Sequence, residues 1–369
     1  MHQKATLAYI PALDGMRGLS ILLVFIAHLG FDRIVPGGLG VTLFFFISGY
    51  IITLVLNNEY KKNTSINLKH FYTGRILRLY PPLLFMLILT AFYLIYISYS
   101  FKLGEILACL LYYENYYFFY GGKGHLTLTI LWSLAVEEHF YLLYPLLFLG
   151  FFKNTKKIIG IFLGLMLLAL VVRIGGYIQY KHFADELERY CYVLTHTRFD
   201  SILFGCMAAV LLTSKKSDNY KSLLSNKKLL VFAFLVQVFC LVIRDPMFRY
   251  TVRYTLQGLS FFILVPAIIN TDSYPIIRQA LSNKALVSIG KVSYSIYLLH
   301  MLVVKSLAFI QANGHTYLYF ACCIAGTSLL SVFCYYVIER PIYRFRKGLN
   351  TKRLLLQPQP VANGVTDII

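Results

Sequence analysis

Several short strings in this 369-residue chain place ionisable groups inside otherwise apolar sequence, where a charge is costly and usually functional. The first runs from Asp14-Gly15-Met16-Arg17-Gly18 through an apolar stretch to His28. An imidazole titrates near neutrality and can take the proton of a sugar hydroxyl when a carboxylate orients its other ring nitrogen. His28 is therefore a general-base candidate, the alternative being a histidine hydrogen-bonded between packed helices. Arg17 precedes it by about 16 Å of regular helix, so the two would serve different parts of one elongated site. Asp14 is a further catalytic candidate of this string.

Arg75 and Arg78 sit three residues apart, hence on one helical face, beside a span boundary. Guanidinium forks bind phosphate bidentately, which suits the phosphates of an acyl-CoA donor; anionic lipid headgroups are the alternative partner. Glu137 and Glu138 are adjacent, so one can face a bundle interior while the other pairs elsewhere, at a depth shared with His28; a structural ion pair is the alternative. His196 and Asp200 form an HxxxD string, but Arg198 is a nearby partner for Asp200, and so short a match arises often by chance. His300 is a second base candidate or a packing hydrogen-bonder, and Glu339, before Arg340-Pro341, can pair with a neighbouring arginine.

The elements that position these groups follow from composition. With 58% hydrophobic and 14% charged residues, a water-soluble globule could not cover its own surface. Apolar runs long enough to cross hydrocarbon recur at 17–31, 39–57, 76–99, 130–152, 157–179, 196–213, 228–244, 252–271, 289–310 and 316–338, and predict an all-α polytopic membrane bundle of about ten helices. No small-x-small cleavage pattern follows the first run, which reads as a retained helix.

The net charge of +19 would suit nucleic acid, but its distribution points to the positive-inside rule. Lys61, Lys62, Lys69, Arg75 and Arg78 cluster around one set of boundaries, as do Lys215, Lys216, Lys221, Lys227 and Lys228, while the alternate loops are poor in lysine. Both termini are expected in the cytoplasm, with membrane lipids as partners and no nucleic acid. Residues 1–348 read as one transmembrane domain, and 349–369 as a disordered cytoplasmic tail. The seven cysteines show no metal-ligand spacing and read as buried thiols. Tyr112, Tyr113, Tyr116, Tyr117 and Tyr120 suit a headgroup-level aromatic belt.

In this order the strings resemble the acyltransferase-3 family of membrane O-acyltransferases, over nearly the whole chain. Asp-Gly-x-Arg-Gly leading to histidine appears as Asp14 to His28, Phe-Phe-x-x-Ser-Gly as Phe44 to Gly49 with Ser48 as a candidate site residue, and Arg-x-x-Arg as Arg75 and Arg78. Trp-Ser-Leu-x-Val-Glu-Glu appears as Trp132 to Glu138, and Tyr-Ser-x-Tyr-Leu-x-His as Tyr294 to His300. Many relatives carry glutamine at the position of His139, and some carry an added esterase-like domain that this sequence lacks, so that transfer is expected to be completed by the membrane part or by a separate partner.

The resemblance implies His28 as the catalytic residue, assisted by an acidic residue for which Glu137 is the choice, and Arg17, Arg75 and Arg78 as acyl-CoA ligands. It further implies acetyl-CoA as donor substrate with no bound cofactor, a cell-surface carbohydrate such as lipopolysaccharide or another polysaccharide as acceptor, and the bacterial inner membrane as location. A transporter or flippase of a glycan or lipid-linked intermediate is the rival, since charges in a tyrosine-rich cavity serve permeation as readily.

Overall fold

The computed structural model describes residues 9–100, 102–122 and 124–345; the tail assigned to 349–369 lies outside them. The chain is an all-α polytopic bundle, and among the described residues no strand forms. The principal helices are α1 (Pro11–Ile26), α2 (Gly37–Asn63), α3 (Leu68–Tyr96), α4 (Trp132–Phe151), α5 (Thr155–Tyr180), α6 (Thr195–Thr213), α7 (Lys227–Val242), α8 (Val252–Asn270), α9 (Lys284–Lys291), α10 (Ser293–Ser306) and α11 (Thr316–Cys334).

Among the described residues seven helices are long and apolar enough to cross a membrane, and nine if each of two bent pairs counts as one span. The expectation of ten is corrected at α7, whose 16 residues reach only about 24 Å, short of a hydrocarbon core of roughly 30 Å. The run at 289–310 is also not one straight helix, because α9 and α10 meet at 72°.

Burial sorts the helices by what surrounds them. From Asp200 to Val210 every residue of α6 is buried, as expected of a helix at a bundle centre. Its tightest neighbour is α2, where a side-chain carbon on Gly49 would lie 2.0 Å from the Ile202 carbonyl oxygen and one on Gly205 would lie 2.0 Å from that of Phe46. Only glycine permits that backbone approach, the means by which membrane helices gain dispersion contact when lipid removes the hydrophobic drive. By contrast α5 exposes Leu163, Leu167, Leu168 and Val171, and α7 exposes Phe232, Phe234 and Leu235, faces that match acyl chains.

α1 packs against α9, α2 and α10, so both ends of the Asp14-to-His28 string are set inside the bundle. It ends in a π-helical turn, Ala27–Phe31, in which Gly30 takes φ 103°. A π turn widens the helix by one residue and re-aims the side chains on it, a device common at functional sites.

Candidate active site

Two cavities meet inside the bundle. The smaller, about 130 Å³, is lined by Arg17 of α1, Ser48 of α2, Arg75 and Arg78 of α3, and Glu137, Glu138 and Tyr141 of α4. The larger, about 1120 Å³, contains His28, together with Asn115, Trp132, Tyr192, Tyr254 and a ring of arginines. Val41 and Tyr297 line both, so they form the wall between them. Tyr297 is fixed in that wall, its hydroxyl donating to the Ile130 carbonyl oxygen at 2.5 Å with the Ser133 hydroxyl at 2.6 Å.

In the larger cavity His28 faces His300 of α10, with His28 Nδ1 and His300 Nε2 3.0 Å apart. His300 Nδ1 lies 2.7 Å from the Tyr297 carbonyl oxygen and 3.1 Å from that of Ile296. A carbonyl only accepts, so His300 Nδ1 carries its proton and, in the neutral ring, Nε2 offers a lone pair. His28 Nδ1 must then be the donor across the pair, which leaves His28 Nε2 unprotonated. His300 is fully buried and so orients His28, the task a carboxylate was expected to perform.

The acidic pair is corrected in place. Glu137 and Glu138 do not share the cavity of His28; they line the other one. Arg75 donates to both oxygens of Glu138, from Nε at 2.9 Å and from Nη2 at 2.5 Å, and stands 3.5 Å from Glu137. Its guanidinium lies 3.2 Å from the centre of the Tyr141 ring. Ser48 donates to Glu137 at 2.6 Å. Arg75 is thus already neutralised, whereas Arg78 forms no ion pair among the described residues, and Arg17 only a loose one with Asp14 at 3.6 Å. Asp14 also accepts from Tyr9 at 2.8 Å and stands at the far end of α1 from His28.

The remaining candidates are structural in their contacts. Asp200 pairs with Arg173 at 2.7 Å, not with Arg198, and accepts from Thr255 at 2.9 Å; both members of the ion pair are fully buried. Arg198 instead lies 3.9 Å from the centre of the Tyr254 ring and donates to Thr42. His196 contacts the Tyr116 hydroxyl at 3.0 Å. Glu339 accepts from the Ser295 hydroxyl rather than from an arginine. Tyr112 is 4% exposed, so it belongs to the interior and not to a headgroup belt. All the cysteines except Cys322 are buried.

A family model described as an acyltransferase domain matches residues 10–336, which takes in both cavities. The chain belongs to the acyltransferase-3 family. It is 30% identical over 358 residues to a "Putative O-acetyltransferase" of Staphylococcus aureus strain COL, covering 92% of this chain and 58% of that protein. It is likewise 30% identical over 351 residues to the O-acetyltransferase OatA of Staphylococcus aureus strain NCTC 8325, covering 90% of this chain and 57% of that one. The chain therefore spans a little under three fifths of these curated relatives. No solved structure matches it. With its apolar helices, this acyltransferase-3 member is a multi-pass membrane protein.

The role of His300 as the orienting partner was not read from the sequence. The signal was the spacing of Tyr297 and His300, which puts the ring nitrogen within reach of a carbonyl of its own helix. Tyr297 stood in the Tyr-Ser-x-Tyr-Leu-x-His string without a role assigned to it, and Val41 carried no signal, because an aliphatic side chain inside a membrane helix looks like packing.

Proposed function

We propose that the chain is a membrane O-acyltransferase that moves an acetyl or other short acyl group from acyl-CoA in the cytoplasm to a hydroxyl of a cell-surface carbohydrate. The observation that carries this is the pair of cavities sharing Val41 and Tyr297, with Arg17 and Arg78 in one and His28, oriented by His300, in the other. Arg17 and Arg78 would hold the donor phosphates, while the Arg75–Glu138 pair keeps that cavity in shape. The acyl thioester would reach past Tyr297 into the cavity of His28.

There, His28 Nε2 takes the hydroxyl proton as the acceptor oxygen attacks the thioester carbonyl carbon. The new C–O bond forms, the C–S bond breaks, and the proton passes to the departing CoA sulfur, so that no net charge is left behind. His300 holds the imidazole in the tautomer that makes this possible, as the buried partner of a catalytic histidine does elsewhere. A direct transfer needs no acyl-enzyme. The O-acetyltransferase names of the relatives support acetyl as the group moved.

Mass spectrometry of surface glycans from cells carrying the wild-type gene, a deletion, or His28→Ala at matched membrane expression tests the proposal. An acetyl-sized mass present only with wild type is expected. Equal acylation in all three overturns it, and a glycan missing from the surface of the deletion strain, instead of unacylated, would identify a transporter.

A further inference from the structure

The cavity that holds His28 is strongly cationic. Arg33, Arg189, Arg244, Arg249 and Arg253 line it, against the carboxylates of Asp32 and Glu188. Among the described residues none of the five arginines has a carboxylate within ion-pair distance. The Nε atoms of Arg249 and Arg253 are buried without a hydrogen-bond partner, although Arg253 Nη2 donates to Tyr254 at 3.1 Å. Beside Tyr254, fully buried Arg198 has both Nε and Nη1 without a hydrogen-bond partner among the described residues.

Guanidinium groups gathered in a partly desolvated concavity repel one another, and donors buried without acceptors carry a desolvation penalty. Both are relieved by one kind of ligand, an oxyanion that accepts from several forks at once. The position of the cluster, in the cavity of His28 and apart from Arg17 and Arg78, assigns that oxyanion to the acceptor.

We infer that the acceptor is an acidic saccharide, whose carboxylate or phosphate is bound by Arg249 and Arg253 while a neighbouring hydroxyl is presented to His28. The assignment rests on the acceptor entering this cavity, but equilibrium binding in the absence of donor tests it separately from the reaction. A cavity of about 1120 Å³ admits several sugar rings, since pockets of roughly 300–1,000 Å³ hold drug-sized ligands.

The experiment measures binding of tetragalacturonate, of its methyl ester, and of coenzyme A to the purified full chain in nanodiscs, with and without phosphatidylglycerol. The acid is expected to bind and the ester, which keeps the sugar and loses the charge, to bind at least roughly tenfold more weakly. Arg249→Gln with Arg253→Gln should remove that preference, while Arg249→Lys with Arg253→Lys should keep most of it.

Equal binding of acid and ester overturns the inference, as does unchanged acid binding by the glutamine pair. Should the glutamine pair fail to fold, the wild-type comparison of acid with ester still decides. Competition by coenzyme A that the glutamine pair abolishes would give the cluster to the donor, and acid binding seen only without phosphatidylglycerol would give it to lipid headgroups; either overturns the inference.

Discussion

His28 and His300 lie 272 residues apart in sequence, yet His28 Nδ1 and His300 Nε2 stand 3.0 Å apart. Because His300 Nδ1 is committed to the Tyr297 carbonyl oxygen at 2.7 Å, the pair has a direction, and the free lone pair belongs to His28. His300→Leu is expected to lower kcat about 100-fold with little change in the KM of either substrate. His28→Ala should leave almost no activity. A His300→Leu enzyme with wild-type kcat and an unmoved pH profile would remove His300 from the mechanism.

Val41 is 5% exposed and shared by both cavities. Val41→Phe should block the proposed route of the thioester between the cavities without touching either set of arginines. Coenzyme A binding by equilibrium dialysis is expected to stay within about threefold of wild type, while transfer falls at least about 100-fold, the scale on which misplaced reactants lose rate. Transfer at the wild-type rate would mean that the acyl group takes another path.

Arg75 and Arg78 are predicted to separate in their effects. Arg75→Gln strands Glu138, whose side chain is 18% exposed, and should cost about 2–3 kcal/mol of stability, less than a fully buried pair because some solvent reaches it. Adding Glu138→Gln should restore part of the loss in thermal melting. Arg78→Gln should leave melting unchanged and raise the KM for acyl-CoA several-fold.

Glu114 opens the short helix Glu114–Phe119 between spans, is fully buried, and has neither carboxylate oxygen hydrogen-bonded among the described residues. Burial pushes its carboxyl up to about 8, so the folded protein holds a proton that the unfolded chain releases near the ordinary value of 4.5. Stability should be full below about pH 4.5 and fall as pH rises through about 8, because the folded state binds the extra proton over that window. Glu114→Gln should flatten this slope in melts taken across the window; an unchanged slope would assign it to another group.

The bundle was legible because apolar runs report spans directly: Gly37–Asn63 and Thr155–Tyr180 enclose the predicted 39–57 and 157–179. The count of spans was misjudged where a helix follows its run but falls short of a crossing, as α7 does, and a span was misread as straight where the chain bends between α9 and α10. Ionisable residues that line the two cavities, such as Arg17, His28, Arg75, Arg78, Glu137 and Glu138, were also legible, since charge inside hydrocarbon stands out. Their partners were not. Asp200 takes Arg173 from another helix over Arg198 two residues away, and Glu137 sits with Arg75 and not with His28, because helix rotation and tilt decide which faces meet, and no local spacing encodes them.

The wall of Val41 and Tyr297 has a consequence for the membrane itself. A continuous water column through the bundle would conduct protons and dissipate the potential across the bilayer, at about 2.3 kcal/mol per charge for every 100 mV. The tyrosine, pinned to Ser133 and to the Ile130 carbonyl, and the valine beside it stand where such a column would run. On the proposed transfer route an apolar thioester arm would slip between them, while a hydrated ion would have to shed its water. The same two side chains that part the cavities would, on the proposed reaction, keep the bilayer an insulator between turnovers.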